Sequence, residues 1–124
     1  MSYDLTFWRQ QPGMSLDPNE TYRALNEGSS VEGLVPLPIE DMLRDLVLAF
    51  PSALRERNGP DEWVTWSSAD GQDSFQVEWS GQHMTVACRH VHSDDMNKIV
   101  NIGVDHGCPL FDPQVGERFA FDGL

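Results

Sequence analysis

The middle of the chain constrains the fold most, because several strand-like segments follow one another there with hardly any residues between them. Alternation of apolar and polar side chains, or enrichment in tryptophan and valine, indicates strands over residues 62–67, 74–79 and 82–91. Only short turn signals, Ala69-Asp70-Gly71 and Ser80-Gly81, separate them. Connections this short join antiparallel neighbours, so the pattern predicts an antiparallel meander and argues against a doubly wound parallel sheet.

Three helices are predicted around this meander. Asp17 and Pro18 form a strong helix start, and Gly28 is placed to end that helix. Residues 38–50 hold the clearest helical period of the chain, with apolar side chains at Ile39, Met42, Leu43, Leu46, Val47 and Phe50. A third helix is expected after residue 93, where two aspartates suit the positive end of a helix dipole.

A first strand over residues 3–9 and a last strand over residues 108–111 complete the predicted order, β-α-α-β-β-β-α-β. Residues 52–61 are expected to form a polar connection. We therefore expect an α+β fold: an antiparallel sheet of about five strands with the helices packed on one face. A length of 124 residues predicts a single domain over residues 1–124.

The charge balance is strongly acidic, with 20 aspartates and glutamates against 8 lysines and arginines and a formal net charge of −12. Such a surface repels phosphate backbones and attracts cationic partners, so we expect no binding to nucleic acid. No apolar run approaches the roughly 20 residues that span a bilayer. The first residues do not resemble a signal peptide. We therefore expect a cytoplasmic protein that does not bind membranes.

Cysteine and histidine provide the one set that could bind a metal. Cys88, His90 and His92 are spaced two residues apart, which would place them on one face of a strand, and Cys108 follows later in the chain. A zinc site of two sulfurs and two nitrogens is conceivable. However, the usual ligand spacings are absent, and Cys88 lies on the same strand face as Met84 and Val86. We expect buried, reduced thiols and neither metal nor cofactor, with a metal or catalytic site as the alternative.

An acidic and aromatic segment is the strongest candidate for binding a partner. Trp63 and Trp66 have opposite strand parity, so one of them should face away from the core of a regular strand. No basic residue lies between Arg57 and Arg89. The predicted contact surface comprises Asp61, Glu62, Trp63, Trp66, Asp70, Asp73 and Glu78. Alternatively, the tryptophans that leave the core belong to a second small cluster under Phe119 and Phe121.

Three stretches together resemble small bacterial proteins of the immunity type. They are Met-Ser-Tyr-Asp-Leu-Thr-Phe-Trp (residues 1–8), Val-Glu-Gly-Leu-Val-Pro-Leu-Pro (31–38) and Gly-Cys-Pro-Leu-Phe-Asp-Pro-Gln-Val-Gly-Glu-Arg-Phe (107–119). Immunity proteins accompany secreted or contact-delivered toxins. The resemblance implies a bacterial cytosolic protein that binds and blocks a toxin domain, and it assigns no functional residue.

The sequence thus favours a protein-binding inhibitor that covers a basic toxin domain with an acidic and aromatic surface, rather than an enzyme. No phosphate-binding loop, dinucleotide fingerprint or serine nucleophile elbow occurs. Two alternatives stay open. One is a metal-binding protein or enzyme that uses Cys88, His90, His92 and Cys108. The other is a structural subunit that covers its exposed aromatic side chains by homodimer or higher assembly.

Overall fold

The structure, a computed structural model, describes residues 2–119. Within these residues there are three helices: α1 (Pro18–Asn26), α2 (Ile39–Ala49) and α3 (Ser93–Asp105). The strands are β1 (Ser2–Phe7), β2 (Arg9–Gln10), β3 (Leu34–Val35), β4 (Leu54–Asn58), β5 (Asp61–Ser67), β6 (Ser74–Trp79), β7 (Met84–Arg89), β8 (Leu110–Asp112) and β9 (Glu117–Phe119).

Seven strands form one antiparallel sheet in the order β4-β5-β6-β7-β1-β8-β9, while β2 and β3 pair separately. The predicted α+β class and the meander β5-β6-β7 are confirmed. The expected number of about five strands is wrong. The two additional strands of the sheet are β4 and β9. Strand β9 has three residues, and the separate strands β2 and β3 have two each, so they are too short to show a period in the sequence.

The segment expected to be a polar connection, residues 52–61, contains the edge strand β4. All five residues of this strand are exposed, so their side chains show no alternation of burial. Charged side chains such as Arg55, Glu56 and Arg57 are a common feature of sheet edges, where they discourage pairing with other chains. The sequence of β4 therefore resembles that of a solvated loop, and only its pairing with β5 identifies it as a strand.

The main core lies on one face of the sheet, called here the inner face. Helices α2 and α3 pack there, and their side chains Leu46 and Ile99 are fully buried. Helix α3 approaches β1 closely at Gly103, where an added Cβ would lie 2.4 Å from the ring of Phe7. The strands supply the other half of this core through Leu5, Phe7, Val64, Phe75, Val77, Met84, Val86 and Cys88.

The expectation that all helices pack on one face is wrong, because α1 packs on the opposite, outer face. Trp8 and Phe111 point to that face and form a second apolar cluster with Leu25 of α1 and Leu34 of β3. The two aromatic rings lie 5.1 Å apart between centroids. Trp8 is fully buried. Phe119 is exposed and outside this cluster, and Phe121 lies outside the described residues.

Helix α1 covers only part of the outer face, near β1, β8 and β9. The outer face of β4, β5 and β6 instead carries polar side chains that are exposed, including Glu56, Gln76 and Glu78. This uncovered part of the sheet contains three of the seven residues that the sequence nominated for binding a partner, namely Asp61, Trp63 and Glu78.

Candidate functional site

Strands β5 and β6 diverge at one end of the sheet, and a cleft lies between them. Strand β5 pairs with β4 as far as Asp61, and β6 pairs with β7 as far as Trp79. The pairing between β5 and β6 stops earlier, at Val64 and Val77. The resulting cleft, called here the β5–β6 fork, has a volume of about 750 Å³. Its lining is Pro60, Asp61, Glu62, Trp63, Gln76, Glu78 and Trp79.

Trp63 is the aromatic side chain on the outer side of the fork. The chain's four tryptophans all lie within residues 2–119, and Trp63 alone belongs to neither apolar cluster. Its neighbour Val64 is fully buried on the inner face, so Trp63 points outward by strand alternation. Its indole Nε1 donates a hydrogen bond to Glu56 Oε2 at 2.7 Å. An edge-strand carboxylate thus holds the ring in place.

Two further carboxylates flank the fork. Asp61 is exposed and makes no side-chain hydrogen bond or ion pair with another described residue. Glu78 is also exposed, and one of its oxygens accepts a hydrogen bond from Gln76 Nε2 at 3.1 Å. With Glu56 beside Trp63, the outer side of the fork carries a concentrated negative charge, which draws cations toward it.

An arginine of the chain itself contacts two residues on the inner side of the fork, Glu62 and Trp79. The guanidinium of Arg55 makes two hydrogen bonds to Glu40, of 2.7 and 3.0 Å, and a further one to Glu62. Its Cζ lies 5.6 Å from the ring centroid of Trp79, an aromatic–cation contact. These hydrogen bonds lower the pKa of Glu40 and Glu62 and raise the pKa of Arg55. Glu62 is therefore already paired with a cation.

Trp66 points to the inner face of the sheet, whereas Trp63 points to the outer face, as their opposite strand parity requires. Its ring stacks on Phe75 at 5.2 Å between centroids and meets Phe50 edge-on at 5.1 Å. Trp66 is therefore packed against the main core. Trp63 is the one that faces outward.

Asp70 and Asp73 lie at the opposite end of the β5–β6 hairpin, about 15 Å from the fork by strand rise. Asp70 accepts hydrogen bonds from Ser68 Oγ at 2.6 Å and from the Gln72 amide at 3.0 Å. The Ser68 hydroxyl is the main cause of a lowered Asp70 pKa. Asp73 lies 3.8 Å from the imidazole of His92. The structure thus divides the predicted surface among three places: the fork, the far end of the hairpin and, for Trp66, the main core.

The cysteines and histidines of the alternative metal site have different environments. Cys88 and Cys108 are buried free thiols, and burial raises their pKa to about 12 and about 11. His90 and His92 are exposed beyond the end of β7. Among residues 2–119, no three histidine, cysteine, aspartate or glutamate side chains are grouped closely enough to hold a metal ion.

Two side-chain contacts near these residues could not be predicted from the sequence. Arg55 reaches Trp79 and Glu62 only because β4 is a strand in register with β5. His106 meets Asp45 at 2.7 Å between Nε2 and Oδ2 and so joins α3 to α2. Neither contact has a local spacing signal, because each joins residues from different elements.

No protein-family model matches this chain, and no curated protein matches it. Over the described part of the chain, none of the three helices has the length and apolar character needed to cross a membrane. What can be said about function therefore rests on the β5–β6 fork and the surface around it.

Proposed function

We propose that this protein is an inhibitor of the bacterial immunity type, which binds a cognate basic toxin domain through the outer side of the β5–β6 fork. The position of Trp63 carries this proposal: the ring lies outside both apolar clusters and is held by Glu56 beside the carboxylates of Asp61 and Glu78. A partly exposed tryptophan surrounded by charged side chains is typical of a binding hot spot with a polar rim.

The two kinds of residue have different roles in the proposed complex. Asp61 and Glu78 accelerate encounter with a positively charged surface, because long-range attraction acts before contact. Trp63 supplies affinity after contact, since a large ring removed from water in the interface contributes more than charges at its rim. Inhibition follows when the bound protein covers a basic active-site cleft of the toxin domain.

The alternative based on Cys88, His90, His92 and Cys108 has less support, because buried thiols with a raised pKa are poor nucleophiles and poor ligands. Self-association that covers exposed aromatic side chains, such as Phe119, stays a prediction. A cytoplasmic location also belongs to the proposal, because the resemblance to immunity proteins implies a cytosolic protein.

Comparative capture from the native host tests the proposal. The bait proteins are the wild type, a Trp63→Ala variant and the double variant Asp61→Asn/Glu78→Gln. The control is Asp70→Asn/Asp73→Asn, which removes the same number of charges from the opposite end of the hairpin. We expect a basic protein that binds the wild type and the control but is depleted with the two fork variants.

The captured protein is then produced alone and assayed for toxicity or enzymatic activity, with and without an equimolar amount of this protein. Loss of activity on mixing supports the inhibitor role. A captured protein that keeps its full activity in the complex contradicts that role. Equal capture by all four baits contradicts the assignment of the fork as the binding surface.

A further inference from the structure

The recognition chemistry of the β5–β6 fork can be specified further. We infer that the fork is a seat for one arginine side chain of the partner, with the guanidinium against Trp63 and between the carboxylates of Asp61 and Glu78. This inference rests on the proposed function only for the identity of the partner as a protein. The seat itself is defined by the residues that line the fork.

The chain already holds a guanidinium with the same combination of groups. On the inner side of the fork, Arg55 lies over the ring of Trp79 at 5.6 Å and pairs with Glu40 and Glu62. An indole face and two carboxylates are what a planar guanidinium binds best, through stacking and through paired hydrogen bonds. Beside the fork, the chain therefore already contains an occupied guanidinium site of this kind.

The outer half of the fork offers the same groups without an internal cation. Its indole is Trp63, and its carboxylates are Asp61 and Glu78. The chain has eight lysines and arginines, all within residues 2–119. Arg55 and Arg57, the nearest along the chain, are paired with Glu62. No hydrogen bond or ion pair joins any of the eight to Asp61 or Glu78 among the described residues.

The backbone also keeps the fork open. If β5 and β6 continued their pairing, Trp63 and Glu78 would be the next cross-strand neighbours after Val64 and Val77. The ladder ends there instead, and a cleft lined by Trp63 and Glu78 lies between the two strands. The volume of about 750 Å³ admits an extended arginine side chain together with water.

Arginine is expected to bind better than lysine at this place. A guanidinium presents five donors in a plane and can stack on Trp63 while it donates to two carboxylates. An ammonium group is smaller, more strongly hydrated and unable to stack. The order of preference should therefore be arginine, then lysine, then the neutral isostere citrulline.

The test uses the whole protein and three small probes: the N-acetyl amides of arginine, lysine and citrulline. The protein is labelled with ¹⁵N, and the four indole N–H signals are followed during titration after assignment with Trp63→Phe and Trp79→Phe. We expect saturable shifts of the Trp63 and Trp79 signals with the arginine probe, in the millimolar range. Lysine should bind several-fold more weakly, and citrulline should give no saturable shift.

The variant Asp61→Asn/Glu78→Gln should weaken binding of the arginine probe about tenfold, because both acceptors of the guanidinium lose their negative charge. The control Asp70→Asn/Asp73→Asn should bind like the wild type. Any one of three results would overturn the arginine seat. These are equal shifts with the citrulline probe, shifts that do not saturate with the arginine probe, and an unchanged affinity for the arginine probe in the fork variant. No partner protein enters this titration, so its outcome is independent of the capture experiment. Failure of capture alone would contradict the inhibitor role and leave the seat standing.

Discussion

The indole Nε1 of Trp63 donates a hydrogen bond of 2.7 Å to Oε2 of Glu56 across the β4–β5 pair. The two residues are direct cross-strand partners, so the register of the edge strand decides how the ring is held. Rigid presentation of an aromatic side chain reduces the entropy lost on binding. The edge strand β4 is therefore part of the candidate site as well as of the sheet.

The two neighbouring tryptophans should respond differently to truncation. Trp63→Ala should leave the free energy of unfolding nearly unchanged, because the ring lies outside both cores. In a complex it should speed dissociation by an amount equivalent to about 2 kcal/mol. Trp66→Ala should destabilise the fold by about 3 kcal/mol, because it removes the stack on Phe75. Urea unfolding and dissociation kinetics measure the two effects. Equal destabilisation by both variants would contradict the opposite orientation of the rings.

The orientation of α2 gives a second matched pair. Leu46 is fully buried, whereas Leu48 of the same helix is 72% exposed. Leu46→Asp should abolish cooperative folding, because an unpaired carboxylate in the core costs several kcal/mol. Leu48→Asp should change the free energy of unfolding by less than about 0.5 kcal/mol. Thermal unfolding followed by circular dichroism distinguishes them, and a folded Leu46→Asp protein would refute the placement of α2 on the inner face.

The reactivity of the cysteines follows from their burial. Because the pKa of Cys88 is raised to about 12 and that of Cys108 to about 11, almost no thiolate forms at neutral pH. A disulfide reagent such as dithionitrobenzoate should react slowly with the native protein and rapidly with both thiols in denaturant. Fast labelling of one thiol under native conditions would show that its surroundings are open to solvent.

His83 should make stability depend on pH. Burial lowers its pKa below the ordinary value of 6.5, and its Nδ1 lies 2.6 Å from Ser80 Oγ. The unfolded chain therefore binds a proton at a higher pH than the folded one does. Stability from the neutral ring is present above pH 6.5 and is lost as the pH falls toward the lowered folded value. His83→Gln should flatten this part of the curve of unfolding free energy against pH. An identical slope in the variant would assign the effect to other groups.

Elements with one buried face could be predicted from the sequence. Helix α2 shows a clear apolar stripe, and β6 and β7 alternate with buried residues such as Val77 and Val86. Strand β4 could not be predicted, because all its side chains are exposed. The placement of α1 on the outer face also escaped prediction, since an apolar helix stripe does not reveal which face of the sheet it covers.

The residue types of the candidate site were predictable, but their grouping was not. Strand parity indicated that Trp63 or Trp66 leaves the core, and only the packing of Trp66 on Phe75 decides which. Along the chain, Asp70 is closer to Trp63 than Glu78 is. In the structure, however, Glu78 lies at the fork with Trp63, and Asp70 lies in the turn at the far end of the hairpin. The fork itself depends on where the β5–β6 ladder stops, and no local pattern encodes that.

The most direct test of the proposed role compares association rates at low and moderate salt for two charge-matched variants with the native partner. Asp61→Asn/Glu78→Gln should slow association about tenfold at low ionic strength and flatten its salt dependence, because these carboxylates flank the fork. Asp70→Asn/Asp73→Asn should associate at nearly the wild-type rate. Equal slowing in both variants would show that net charge alone steers the encounter, and slowing only in the second would place the contact surface at the other end of the hairpin.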